Sequence, residues 1–318
     1  MSDPPTLAQV AAAAGVSQAT ASRVLTGSVR VSTSARRQVH DAMSRMGYVR
    51  HRAPHRAESV AGVTAVVCDH LPRLFADPFY ARLLPAVNSV LAEHGTHLTM
   101  VTIAPGGATQ PPLSGPLLVI GARENHPLAV RLCTSGARVR MVGRPPDGVA
   151  LPFADVDNVD GGRQAAEHLL LSGRTAIAAI GGPADLPASR DRLGGLIRTA
   201  RAAGIADVPV AYGDFSAASG THAAQWLLRR CPGLDAVFAA SDLMAAGALQ
   251  ALRRAGRRVP DDVAVIGFDD AAVARRTTPS LTTVRQPVEE LGRVAARLLL
   301  AGGDDAMLPV ELVIRDTA

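Results

Sequence analysis

From Val60 onward, short apolar runs alternate with amphipathic helical stretches, and no other feature restricts the fold of this chain as much. Strand, covering helix and next strand, repeated along a chain, is the pattern of a parallel sheet, because each crossover must climb back over a sheet face. The strand candidates are 63–68, 97–103, 117–120, 139–142, 176–180, 208–211, 236–239 and 263–267, with helices filling the intervals and a further strand-like "VELVIR" near the end. Between the second and third candidates stands only "APGGATQPPLSG", so the crossover helix expected there is lost or reduced.

The first sixty residues follow a different plan. Thr6 and Gln9 have capping-box spacing, so a helix starts at Leu7 and runs through Val10, Ala11 and Ala14 to Gly15. Ser17 can cap a second helix whose apolar side is Ala21, Val24 and Leu25, ended by Gly27. A third fits 32–46, with Val39, Ala42, Met43 and Met46 at helical spacing. Two short helices joined by a tight glycine turn make a helix-turn-helix, in which Ala11 must be small where the helices cross. An ordinary three-helix packing unit is the alternative.

Charge separates the two plans. The chain has a formal net charge of +5, and its 33 basic residues are all arginine. Eight arginines stand against Asp3, Asp41 and Glu58 in residues 1–60, which places the whole +5 there and leaves the remainder neutral. A small basic unit joined to a large neutral one suggests that the first meets a polyanion, since phosphate contacts need clustered cations. A second helix in a major groove would present Ser17, Gln18 and Ala19, with Ser22 and Arg23 one turn on. Gln reads adenine edges, Arg reads guanine, and Ala touches the thymine methyl.

The segments "TLAQVAAAAGVSQATASRVLTG" and "VSTSARRQVHDAMSRMGYV" resemble the DNA-binding domain of the LacI/GalR family of bacterial repressors. The resemblance implies that Gln18, Ala19 and Arg23 hold base-reading positions, with Thr6, Ser17, Thr20 and Ser22 as phosphate contacts or caps. After Val49 the sequence departs from the family. Where Pro-Asn and a hinge helix with a wedge leucine are usual, the run is "RHRAPHRAES", with Ala57 at the wedge position. Alanine buries little surface between base steps, which shifts the expected contacts toward the phosphates through Arg52 and Arg56. A helix from about residue 51 and a disordered basic linker both remain open for this stretch.

The remainder is similar to the family's effector domain, a two-lobed α/β fold with parallel sheets of the type I periplasmic-binding-protein kind. The resemblance rests on "DPFYARLLPAVNSVLAEHG", "DNVDGGRQAAEHLLLSGR", "GGPADLPASRDRLGGL", "AVFAASDLMAAGALQALRRAGRRVPDDVAVIGFDD" and "PSLTTVRQPVEELGRVAARLLL". The implied division is a helix-turn-helix domain at 1–49, a linker at 50–59 and an effector and dimerisation domain at 60–318. Its first lobe takes about 60–156 plus 288–310, and its second about 157–286 plus the C-terminal end.

Ligands of such folds sit between the lobes, at the carboxyl ends of the strands. The matching positions are Asp269 for paired hydroxyls, Arg192 as a hydrogen-bonding fork, Phe79 and Phe215 as stacking faces, and Arg144, Ser241, Asp242 and Gln286 as further contacts. Each has an alternative: Arg192 a surface ion pair, Phe215 core, Asp242 the cap of the helix it opens. Ser241 stands where an amide is usual and Gly143 where an acid often sits, so two familiar sugar contacts are absent.

These readings converge on a homodimeric regulator of double-stranded operator DNA, controlled by a small-molecule effector that is a sugar or else a purine or another metabolite. A transport-type binding protein and an enzyme are the rival classes. Against the first stand the attached basic unit and the lack of a basic, apolar leader; against the second, the lack of a phosphate loop, a GxSxG elbow or metal spacing. Cys68, Cys133 and Cys231 are odd in number and far apart, which suits core thiols in a reducing cytoplasm rather than disulfides or zinc. No cofactor and no membrane partner is expected, and no heptad tail suggests a tetramer.

Overall fold

A computed structural model describes residues 7–25, 33–46, 62–105, 107, 115–124 and 126–318. The chain divides into two compact units, Met1–Glu58 and Ser59–Ala318.

In the first unit α1 (Leu7–Ala13), α2 (Gln18–Leu25) and α3 (Thr33–Met46) enclose a core of Val10, Ala11, Ala14, Ala21, Val24, Val39 and Ala42. The turn between α1 and α2 works because Gly15 takes φ +66, a conformation that costs a Cβ-bearing residue free energy. Val16 N then donates back to Ala11 O at 3.0 Å, and Ala11 is buried at the crossing. The third helix is described over Thr33–Met46, within the span its spacing suggests.

The second unit holds two six-stranded sheets. The first contains β1 (Val63–Val67), β2 (Leu98–Thr102), β3 (Leu117–Ile120), β4 (Val139–Val142) and β5 (Phe153–Val156). Between these strands lie α4 (Leu71–Ala76), α5 (Pro78–Glu93) and α6 (Pro127–Thr134). The chain crosses through α7 (Asn158–Leu171) into the second sheet. That sheet takes β6 (Ile177–Gly181), β7 (Val210–Tyr212), β8 (Ala236–Ala239), β9 (Ala264–Asp269) and β10 (Thr282–Arg285), with α8 (Pro187–Ala202), α9 (Ala217–Arg230) and α10 (Asp242–Arg254) as its crossovers. It returns as α11 (Val288–Ala301) against α5 and adds β11 (Ala306–Leu308) to the first sheet. It then closes with β12 (Glu311–Val313) on the second. The orders are β11-β5-β4-β3-β1-β2 and β12-β10-β9-β8-β6-β7.

All pairings are parallel except β10 with β12, which is antiparallel at the sheet edge. The central strands β3, β6 and β8 are buried along their whole length, which is why they read as continuous apolar runs. Four strands lack that signature. β5 carries Asp155, β10 is "TTVR", and β11 and β12 are three-residue edges. The expectation of a lost helix within 104–115 falls largely outside the described residues, as does the linker 50–59.

Two glycines set the spacing of the helices behind the second sheet. A Cβ on Gly162 of α7 would lie 2.0 Å from Arg192 O, and one on Gly195 of α8 would lie 2.0 Å from Val159 O. The two backbones therefore touch, and this contact fixes where Arg192 on α8 can stand.

Candidate functional site

In the first unit, Ser17 Oγ accepts from Thr20 N at 3.1 Å and lies 2.8 Å from Thr20 Oγ1, so the side chain that precedes α2 caps it. Gln18 opens the helix exposed, and Ala19, Ser22 and Arg23 follow on the same helix. Thr6, Arg52 and Arg56 lie outside the described residues.

In the second unit a cleft opens between the two sheets, and the segments that line it directly follow strands. Asp69 lies after β1, Gly121 after β3, Arg144 after β4, Ser241 after β8 and Gln286 after β10, while Asp269 ends β9. Carboxyl ends of strands from both sheets thus converge on one space, as open parallel sheets require.

Arg192 and Asp269 form its centre. Both are deeply placed, with side chains 8% and 16% exposed. Arg192 Nε donates to Asn158 Oδ1 at 2.9 Å, and Nη1 donates to Ala240 O at 2.7 Å and Asp269 Oδ1 at 3.4 Å. Its plane lies over Phe268, with Cζ 3.7 Å from the ring centroid. Gln286 Nε2 also donates to Asp269 Oδ1, which leaves Oδ2 without a hydrogen bond among the described residues. Burial pushes the Asp269 carboxyl up to about 6, against the opposing pull of Arg192. Asp269 holds φ +112 and Phe215 φ +70, and neither is a glycine. Such left-handed residues cost backbone free energy and gather at ligand clamps.

Phe79 and Phe215 stand in the lining from opposite lobes. The tip of the Phe215 ring abuts Gly182, where a Cβ would lie 2.2 Å from Cζ, and Arg73 Cζ sits 5.0 Å from the ring centroid. Arg144 is half-exposed beside Asp191 at 3.7 Å. Ser241 caps α10, its Oγ accepting from Met244 N at 3.3 Å. Seven of the eight positions carried over from the family, namely Phe79, Arg144, Arg192, Phe215, Ser241, Asp269 and Gln286, therefore line one cleft.

Asp242 does not join them. It is fully buried behind the lining, with Oδ2 accepting from Ala271 N at 2.7 Å and Oδ1 from Thr283 Oγ1. Its carboxylate ties α10 to the loop after β9, and Ser241 rather than Asp242 caps the helix. Burial raises its pKa, and the nearby Asp269 raises it further.

Five charged residues of the lining escaped sequence reasoning: Asp69, Arg73, Asp77, Arg123 and Asp155. Arg73 bridges Asp69 at 2.8 Å and Asp77 at 2.9 Å, and Tyr80 Oη donates to Asp69 at 3.1 Å. Asp155 accepts from Arg144 N at 2.9 Å, Val156 N at 2.7 Å and Asn158 Nδ2 at 3.1 Å, and burial lifts its carboxyl to about 6. Asp155 brings an acid beside Gly143, the position where sequence comparison finds one missing. Asp69 could have been flagged as an acid just past a strand end, like Asp269; Asp155 looks like a strand defect until its neighbours are known. Cys68 also lines the cleft, its thiol pushed up to about 12 by burial and hence uncharged.

Comparison with known proteins agrees with this geometry. Residues 6–51 match the family model described as bacterial regulatory proteins, lacI family, and residues 166–317 match that of a periplasmic binding protein-like domain. The chain is 42% identical to the HTH-type transcriptional regulator CelR of Thermobifida fusca, over 93% of this chain and 91% of the relative. It is 29% identical to the HTH-type transcriptional repressor CytR of Escherichia coli K12, over 98% and 95%. Among solved structures, a complex of the transcriptional regulator CelR with cellobiose aligns with TM-score 0.74 and 38% identity, covering 99% of this chain and all of that one. A lac repressor dimer bound to operator and the anti-inducer ONPF aligns with TM-score 0.70 and 26% identity, covering 99% of each. A basic helix-turn-helix unit joined to a two-sheet binding unit, matched over nearly its full length, makes this chain a member of the LacI family of DNA-binding bacterial transcription regulators.

Proposed function

We propose that this chain is a cytoplasmic, homodimeric repressor whose grip on a near-palindromic operator is set by a neutral sugar held in the cleft of its second unit. The observation that carries the sugar reading is the Arg192–Asp269 pair. Arg192 is held flat by Phe268 and Asn158, and Asp269 keeps Oδ2 uncommitted beside it. A planar donor next to a free carboxylate oxygen matches adjacent sugar hydroxyls, each of which donates and accepts. Phe79 and Phe215 supply faces for the apolar side of a pyranose ring. The likeness to a regulator solved with cellobiose makes a glucose disaccharide the first candidate.

A sugar held by both lobes favours one lobe arrangement over others, and the chain between the two units carries that bias to the operator-reading helix. In that helix Gln18, Ala19 and Arg23 face base edges, and Thr6, Ser17, Thr20, Ser22, Arg52 and Arg56 steady the phosphates. The test is a gel shift on the operator at fixed salt, with and without cellobiose, beside calorimetry of cellobiose on the same protein. Saturable binding that changes operator affinity supports the reading; cellobiose that neither binds nor shifts the operator complex counts against it.

A further inference from the structure

Every arginine that lines the cleft is paired with a carboxylate of the protein itself, among the described residues. Arg73 lies between Asp69 at 2.8 Å and Asp77 at 2.9 Å. Arg123 meets Asp185 at 2.7 Å, Arg144 meets Asp191 at 3.7 Å, and Arg192 meets Asp269 at 3.4 Å. Asp155 adds a further carboxylate, held by backbone and amide N–H groups. Six carboxylates therefore surround four guanidinium groups. Arg190, two residues before Arg192 on α8, is matched the same way, on Glu124 at 3.0 Å and Asp147 at 2.9 Å.

Charge is compensated, yet hydrogen-bonding capacity is not. Among the described residues Arg123 Nε is buried without a partner and Asp269 Oδ2 is uncommitted. Donors and acceptors with no spare positive charge fit hydroxyl and ether oxygens. A phosphate or carboxylate would face an excess of protein carboxylates, or would have to break an existing ion pair.

Resting on the sugar reading above, we propose that Asp185 and Asp191 form a charge filter, which makes the cleft accept uncharged polyhydroxyl ligands and reject phosphorylated or carboxylated ones. Neither carboxylate is a ligand contact. Each acts through the arginine it neutralises, Asp185 through Arg123 and Asp191 through Arg144, at the start and in the second turn of α8. Asp185 determines specificity more strongly, because its pair is the shorter and Arg123 is the less exposed of the two arginines, at 17% against 46%.

The experiment is calorimetry of the full chain with two matched pairs, cellobiose with cellobiose 6-phosphate and adenosine with AMP. The neutral member of the pair that binds should do so at least about thirtyfold more tightly than its phosphate, the scale set by an uncompensated buried charge. Asp185→Asn keeps a polar, half-exposed side chain and releases Arg123. It should hold the neutral ligand within about threefold and narrow the discrimination at least about tenfold. Equal or tighter binding of the phosphate by the native chain overturns the filter, as does unchanged discrimination in Asp185→Asn. Binding of adenosine in preference to both disaccharides overturns the sugar reading while the nucleotide pair still reads the filter. Silence of all four compounds overturns both.

Discussion

The guanidinium of Arg192 is stacked on the ring of Phe268, its central carbon 3.7 Å from the centroid. Arg192 comes from α8 and Phe268 from β9, so the arginine that faces the cleft is braced from behind by core. A lysine at 192 would keep the charge and lose the plane, the stack and the fork. Arg192→Lys should cost about 2 kcal/mol of folding stability in a urea titration. It should also abolish the rise in Tm caused by cellobiose. A full ligand-induced rise in this variant would place the sugar elsewhere.

Burial raises Asp155 and Asp269 from 3.8 to about 6, so the folded chain holds these two protons more tightly than the unfolded chain does. Native protonation exceeds unfolded protonation between those values, and stability therefore rises as pH falls from 7 toward 5. Each group contributes roughly 1 kcal/mol over that interval. Asp214, held down to about 2 mainly by Ser216 and Ser219 against the opposing effect of burial, works in the other direction but only below its ordinary value of 3.8. Urea titrations at pH 5 and 7 should show the gain, and Asp155→Asn should lower it by roughly 1 kcal/mol. A variant with the native pH difference would exclude Asp155 as its source.

Gly182 supports Phe215 by having no side chain, since a Cβ there would enter the ring at 2.2 Å. Gly182→Ala should push the ring out of place while the sheet core, packed elsewhere, survives. The expected result is cellobiose affinity reduced about tenfold or more, with a melting curve that remains cooperative. Native affinity in this variant would show that Phe215 is not a sugar wall.

Ser17 caps α2 through a 3.1 Å bond from Thr20 N. Ser17→Ala should weaken the first unit by about 1 kcal/mol. Hydrogen exchange of the α2 amides should detect the change without altering amides of the second unit.

Arg23 is on α2 one turn beyond Gln18. Arg23→Ala should lower operator affinity by about 1–3 kcal/mol at fixed salt, with cellobiose binding unchanged. Uniform weakening on operator and random DNA alike would mark Arg23 as a phosphate contact instead of a base reader.

Local pattern accounts for much of this protein. The two helices around Gly15 and the buried runs of β3, β6 and β8 are legible because backbone conformation and the local side-chain period decide them. The strands β5, β10 and β11 are not legible by pattern. They are strands because neighbours supply their hydrogen bonds, whatever their own apolar content.

The site divides along the same line. Arg192 and Asp269 are marked in the sequence by the resemblance to the family, whose motifs carry them, and the fold sets one on α8 and the other at the end of β9. Asp242, one residue from Ser241, is equally conspicuous, but the fold turns it into the protein interior, where it bonds Ala271 and Thr283. Asp69 and Asp77 lie four residues on either side of Arg73, but Asp185 comes to Arg123 across 62 residues of chain and Asp269 to Arg192 across 77. The sequence by itself determined the two units, because those depend on period and on where the charge falls. Only the tertiary structure decided which charge neutralises which, because Coulomb energy depends on distance in space and not along the chain.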